Sequence, residues 1–282
     1  MSTIKPILQT FTYPYDDGRS HRQDFLQYLC FSLLCTEDWQ REEQFFTANL
    51  NIFQAKPKSI NKMEENIPVI ECKLRPMLSE LNQLSMPDGS AMLMQGDTAV
   101  MAGIYGPVEP KAQKMIYDKA SVEVVYSPVK GPPKVDDRVV ELYIRESCEA
   151  AIIVMLHPGT AISINVQEIQ DDGGLLACTI NSACLALINS GISMRFTIAA
   201  VTCMIDESTG EVILDPDNNH LQSARTVFTF TYDSINKDVI SCHTTGRFTD
   251  KEFLECMNKC RQASVSVFDF YRDIVKKYAK VI

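Results

Sequence analysis

Residues with types and spacing suited to chemistry fall into a few groups. Asp171-Asp172-Gly173-Gly174 stands directly before the apolar run Leu175 to Asn189. Paired carboxylates can bind a divalent cation, and glycines that open a helix can present free N–H groups to phosphate. Leu175 and Leu176 occupy the places where a phosphate site needs a hydroxyl and a cation, so the side chains withhold what the backbone offers. Leu214-Asp215-Pro216-Asp217 holds a second pair of acids, of which Asp215 is the candidate acid or metal ligand. Lys111, Lys114 and Lys119 place cations in one loop, where a phosphodiester backbone could bind. Each group also has a plainer reading, which the residues alone favour. The aspartates make a turn and cap a helix, and the lysines belong to a solvated loop.

Other chemistry is poorly supported. The chain has 10 cysteines, but Cys148, Cys178, Cys184 and Cys203 sit alone within apolar runs, as small core side chains do. There is no CxxC pair, and Cys256 with Cys260 has no histidine spaced to complete a zinc site. His157 adjoins a Pro-Gly turn with no second histidine near it. A chain of 282 residues with 45% hydrophobic content accommodates one large domain or two small ones around a sizeable core. The net charge of -9 argues against broad electrostatic binding of nucleic acid, while leaving a local basic patch open. Cysteine usage predicts a reduced, intracellular protein. No apolar run reaches membrane-spanning length and no signal-peptide pattern is present, so no membrane partner is expected.

The elements that must position these groups follow from periodicity. Residues 1–62 form an expected N-terminal extension, poorly ordered, with one apolar segment from Phe25 to Cys35; a domain from 63 to 282 follows. Pro87-Asp88-Gly89 predicts a hairpin returning through Ala91–Met94. Thr98–Tyr105 is continuously apolar and predicts a central strand. Ser121–Val129 reads as a strand, and a helix is expected from about Asp136 to Met155. Ile162, Ile164 and Val166 alternate as a strand. The helix Leu175–Asn189 is expected to take an aspartate at its start and Gly191 as its left-handed cap. Strands are expected at Arg195–Ile205, Val212–Leu214, Arg225–Tyr232 and Val239–His243. A long amphipathic helix follows, capped by Thr249 or Asp250. The order predicts an α+β fold of sheets with packed helices.

The ordered set Leu81-Asn82, Asp88-Gly89-Ser90-Ala91, Gly96-Asp97-Thr98, Tyr105-Gly106-Pro107, Gln170 to Gly174 and Leu214-Asp215-Pro216 resembles the ribonuclease PH family. The resemblance covers about Ile67 to Ile282. Leu156-His157-Pro158 and Leu175 to Asn181 look most like the ring subunits of the eukaryotic RNA exosome. It implies an α+β ribonuclease PH-like fold of two βαβ-like halves with mixed sheets. Its partners would be other ribonuclease PH-like subunits in a hetero-hexameric ring, cap subunits, an associated catalytic nuclease and RNA. Nucleus, nucleolus and cytoplasm are the expected locations.

Active members of that family shorten RNA from its 3′ end, with phosphate as the attacking group. They carry Thr-Arg after the Asp-Gly-Gly turn, where this chain has Leu175 and Leu176. Asp215 matches the first of two family acids, and Leu221 takes the place of the second. The helix that carries RNA-binding arginines in the family has Leu142, Glu146, Cys148 and Glu149 here, and the arginine usual after Gly-Pro is Val108. The resemblance therefore implies a degenerate site with no catalytic residue beyond the lone acid Asp215, no metal and no cofactor. Lys111, Lys114 and Lys119 lie where the family faces its pore, with Arg138 and Arg145 as weaker RNA candidates. The readings carried forward are a non-catalytic exosome ring subunit serving rRNA processing and mRNA turnover, a residual phosphorolytic or metal-dependent nuclease using Asp215 with Asp171, Asp172 or Asp217, and a homodimeric nucleic-acid-binding module.

Overall fold

The computed structural model of the chain describes residues 74–111, 114–207 and 210–279. The expected N-terminal extension and its apolar segment Phe25–Cys35 lie outside them. The described residues belong to the second of two units, Ile70–Ile282.

The first sheet has five strands: β1 (Met77–Leu81), β2 (Gly89–Gln95), β3 (Thr98–Val108), β4 (Ser121–Ser127) and β5 (Ala161–Gln170), in the order β1-β2-β3-β5-β4. β3 is the central strand, as its apolar run predicts, and Val100, Ala102 and Ile104 are fully buried. β1, β2 and β3 are antiparallel, whereas β4 runs parallel to β5. A parallel pair needs a crossover, and helix α1 (Val135–Ala151) supplies it. The predicted hairpin joins β1 to β2 with Leu81 opposite Ala91. Its turn is longer than Pro87-Asp88-Gly89, because Asn82 adopts a left-handed φ of 60 and donates its N–H to the Ser90 carbonyl.

The second sheet has four antiparallel strands: β6 (Ile198–Asp206), β7 (Val212–Leu214), β8 (Ala224–Asp233) and β9 (Val239–Gly246), ordered β7-β6-β8-β9. The parallel crossover thus belongs to the first sheet. The second is followed by helix α4 (Asp250–Ala279), after the single-turn helix α3 (Asn218–Leu221) between β7 and β8. The buried side of α4 runs through Cys256, Cys260, Ala263, Val267, Tyr271 and Ile274, the three–four spacing of an amphipathic helix. Thr249 donates its N–H and hydroxyl to Glu252, holding the first turn of α4 from outside.

Helix α2 (Leu175–Ser190) lies against both sheets, and residues 177–187 are buried without interruption. Small side chains permit this approach. At Gly89, an added Cβ would stand 2.5 Å from the Ser190 nitrogen. Asn181 joins α2 to the second sheet. Its amide donates to the Ala200 carbonyl at 2.9 Å and its oxygen accepts from the Ala200 N–H at 2.7 Å. The Tyr271 hydroxyl donates to the same oxygen at 3.0 Å. A side-chain amide here satisfies a buried strand edge that would otherwise be orphaned. Burial pushes the Cys178 and Cys184 thiols up to about 12, so these cysteines are inert core residues.

Three expectations are corrected. The helix predicted to Met155 stops at Ala151, because Ile152 turns extended and bridges Met194, and Arg195 donates its N–H to Ala151. These cross-chain bonds outweigh the helical pattern. The strand expected from Arg195 begins at Ile198 for the same reason. The aspartate cap on α2 is also absent: the N-cap is Gly174, left-handed at φ 67, with no side-chain cap bond.

Each orphaned buried polar group costs about 1–3 kcal/mol. Asn181→Leu should therefore lower unfolding stability by roughly 2–5 kcal/mol in urea titration, and Tyr271→Phe by about 1 kcal/mol. His243 rests on Tyr143, ring centroids 4.8 Å apart, and burial depresses its pKa below the ordinary 6.5. The unfolded chain then binds the proton more readily, so this contribution is lost as pH falls through 6.5 and below. His243→Gln should flatten the fall in melting temperature between neutral and mildly acid pH.

Candidate functional site

The Asp-Gly-Gly turn and the Asp215 turn meet at one corner, and a residue from outside both holds them there. Arg75, just before β1, donates from one terminal nitrogen to the Asp172 carbonyl at 3.0 Å. Its other terminal nitrogen donates to the Gly173 carbonyl at 2.9 Å and to Asp215 Oδ1 at 2.8 Å. Its backbone N–H donates to Asp215 Oδ2 at 3.0 Å. Asp217 and Asp172 stand 3.5 and 3.9 Å from the guanidinium. The Arg75 side chain is 14% exposed and that of Asp215 is 3% exposed. Burial disfavours the Arg75 charge, but the bond to Asp215 and the charges of Asp215, Asp217 and Asp172 outweigh it and raise its pKa.

The backbone allows this meeting only at glycine. Gly173 has φ 91, and a Cβ there would lie 2.4 Å from the Pro216 carbonyl oxygen. Thr98 braces the turn from β3, donating to the Gly173 carbonyl at 2.8 Å and accepting from the Asp172 N–H at 3.1 Å. Asp171, expected as a possible cap, instead accepts from the Gly173 N–H at 3.0 Å within its own turn.

The structure separates the expected site residues by role. Asp215 is at the corner, but Arg75 occupies both of its oxygens. Leu175 and Leu176 form the first turn of α2 and pack half-buried against the core. Leu221 ends α3, half-exposed. The amides that open α2 therefore face a corner with four carboxylates (Asp171, Asp172, Asp215, Asp217) against one guanidinium, a balance that repels an anion. The adjoining groove, about 430 Å³, brings Lys130 but also Glu168 and Asp171. Among the described residues no group of three or more His, Cys, Asp or Glu could hold a metal ion.

The lysine loop is less cationic than its sequence. Lys114 pairs with Glu123 at 3.0 Å and Lys119 with Glu149 at 2.6 Å. Lys111 is exposed, with no carboxylate partner among the described residues. On α1, Arg138 pairs with Glu141 at 2.7 Å, and Arg145 is exposed. Arg75 was not among the expected site residues. Its signal is faint: one arginine before a proline, 140 positions from the acid that it holds.

Known proteins share this architecture. Residues 73–193 match the 3′ exoribonuclease family, domain 1 (RNase_PH). The chain is 30% identical over 241 residues to the exosome complex component Rrp41 of Thermococcus onnurineus, covering 80% of this chain and 96% of that one. The chain belongs to the ribonuclease PH family. Within that family it is 29% identical over 223 residues to the exosome complex exonuclease RRP46 homolog of rice, covering 73% of this chain and 93% of that one. The crystal structure of rice Rrp46 matches with a TM-score of 0.69 at 30% identity, over 73% of this chain and 96% of that chain. The Archaeoglobus fulgidus exosome with RNA bound to the active site shares the ribonuclease PH fold, with a TM-score of 0.63 at 20% identity over 71% of this chain and 89% of that one.

Removing one partner of a buried ion pair costs about 3–5 kcal/mol. Arg75→Met should destabilise the domain by that amount in urea titration. Arg75→Met with Asp215→Leu should cost less than the two single changes together, by about 0.5–3 kcal/mol.

Proposed function

We propose that this chain is a non-catalytic ring subunit of an RNA exosome. It supports 3′-to-5′ RNA processing and decay, including rRNA processing and mRNA turnover, by scaffolding the ring. The observation that carries this reading is the state of Asp215. A carboxylate that is 3% exposed and accepts from Arg75 at both oxygens has little access to water or to a metal ion. Leu175 and Leu176 deepen the loss, since neither can hold phosphate, and no rotamer of leucine replaces an arginine fork. Each donor to a reacting phosphoryl oxygen is worth about 2.7–4 kcal/mol, so losing several lowers the rate by many decades.

Ring membership is supported by the relatives, which are exosome components along most of their length. The partners proposed are other ribonuclease PH-like subunits in a hetero-hexamer, cap subunits and a separate catalytic nuclease, with nucleus, nucleolus and cytoplasm as the locations. RNA contact falls chiefly to Lys111, because Lys114 and Lys119 are already paired. The similarity to the exosome complex exonuclease RRP46 homolog of rice favours one competing reading, a residual phosphorolytic or metal-dependent 3′-exoribonuclease using Asp215. Incubating the purified chain with 3′-labelled RNA, phosphate and Mg²⁺ decides between them. The proposal expects no shortening. Shortening that disappears in Asp215→Asn would overturn it.

A further inference from the structure

A half-solvated antiparallel sheet carries polar residues on its open face. On the face opposite α2, the β4–β5 half of the first sheet carries Glu123, Asn165 and Gln167 around one exposed apolar residue, Val125. The β1–β3 half is more apolar. Pairings Leu78↔Met94 and Met92↔Met101 place four large apolar side chains side by side on the face opposite α2. Leu78 is 66% exposed and Met94 37% exposed, while Met92 and Met101 are half-buried. The connection from β1 to β2 extends the patch with Leu84 and with Met86, which is 86% exposed. No described helix lies over this face.

Charge decides what fits. The face and the connecting segment 82–88 carry no lysine or arginine, so a phosphodiester backbone finds no counter-charge there. The charges at the rim are acidic: Glu80, which faces Met92 across the strands and accepts from Gln83, and exposed Asp97 in the β2–β3 turn. A second copy would bring the same acidic rim on a chain of net charge -9. Methionines adapt to a facing surface without fixed shape. We propose that the outer face of β1–β3, with Met86, docks a different protein subunit, whose contact patch is aliphatic at its centre and bears lysine or arginine at its rim. This rests on the reading that the chain works within an assembly.

The test uses the full chain, with photo-methionine replacing methionine, reconstituted with the ribonuclease PH-like subunits of its own source. Crosslinks from Met92, Met94 or Met101 to a different subunit are expected. Crosslinks only to a second copy, or only within the chain, would overturn the proposal. In parallel, Leu78→Lys with Met94→Lys should weaken assembly at least tenfold in a titration with the melting temperature unchanged, and Met94→Leu should not. A wild-type chain that assembles while the double lysine variant assembles equally well refutes this surface alone. A wild-type chain that joins no partner refutes the assembly role as well.

Discussion

A buried carboxylate must have a cation, and at this corner the cation is Arg75. Asp215 is almost fully enclosed, and an unpaired charge in such a place costs several kcal/mol. Arg75 meets that requirement with its guanidinium and its own backbone N–H, and the same guanidinium holds the carbonyls of Asp172 and Gly173. One side chain therefore ties the start of the first sheet, the turn before α2 and the turn after β7. That tie also leaves Asp215 accepting from Arg75 at both of its oxygens. Structural and catalytic roles for Asp215 compete for the same oxygens, and the geometry favours the structural one.

The surrounding frame depends on residues other than those a phosphate site would need. α2 is held by burial along residues 177–187 and by Asn181 on the Ala200 backbone, neither of which needs phosphate, metal or RNA. Gly173 remains because the Pro216 carbonyl leaves no room for a Cβ. A turn that looks like a phosphate cradle is thus kept by packing constraints. Its glycines report close backbone approach, and only its side chains report function.

Much of the fold was legible because hydrophobic periodicity is local. The central strand β3, the buried α2 with its left-handed Gly191 and the amphipathic α4 all follow from spacing within a short window. What the pattern missed was set by distant partners. α1 ends early because Ile152 finds Met194, and α2 is opened by Gly174 because Asp171 and Asp172 are engaged elsewhere. At the site, the place of Leu175 and Leu176 in the first turn of α2 could be read directly, since the Gly-Gly pair marks where the helix starts. Arg75 could not, because nothing near it in the chain marks it as the partner of an acid so far away. The lysine loop shows the same limit, with two of its three charges met by Glu123 and Glu149.

The proposed function requires that the turn before α2 does not bind phosphate. Its most direct test is a titration of the ¹⁵N-labelled chain with inorganic phosphate, following the amides of Gly173, Gly174, Leu175 and Leu176. The account predicts no saturable shift confined to those amides, only the slight general drift that ionic strength produces. Saturable shifts localised there, absent when sulfate-free salt replaces phosphate, would contradict it.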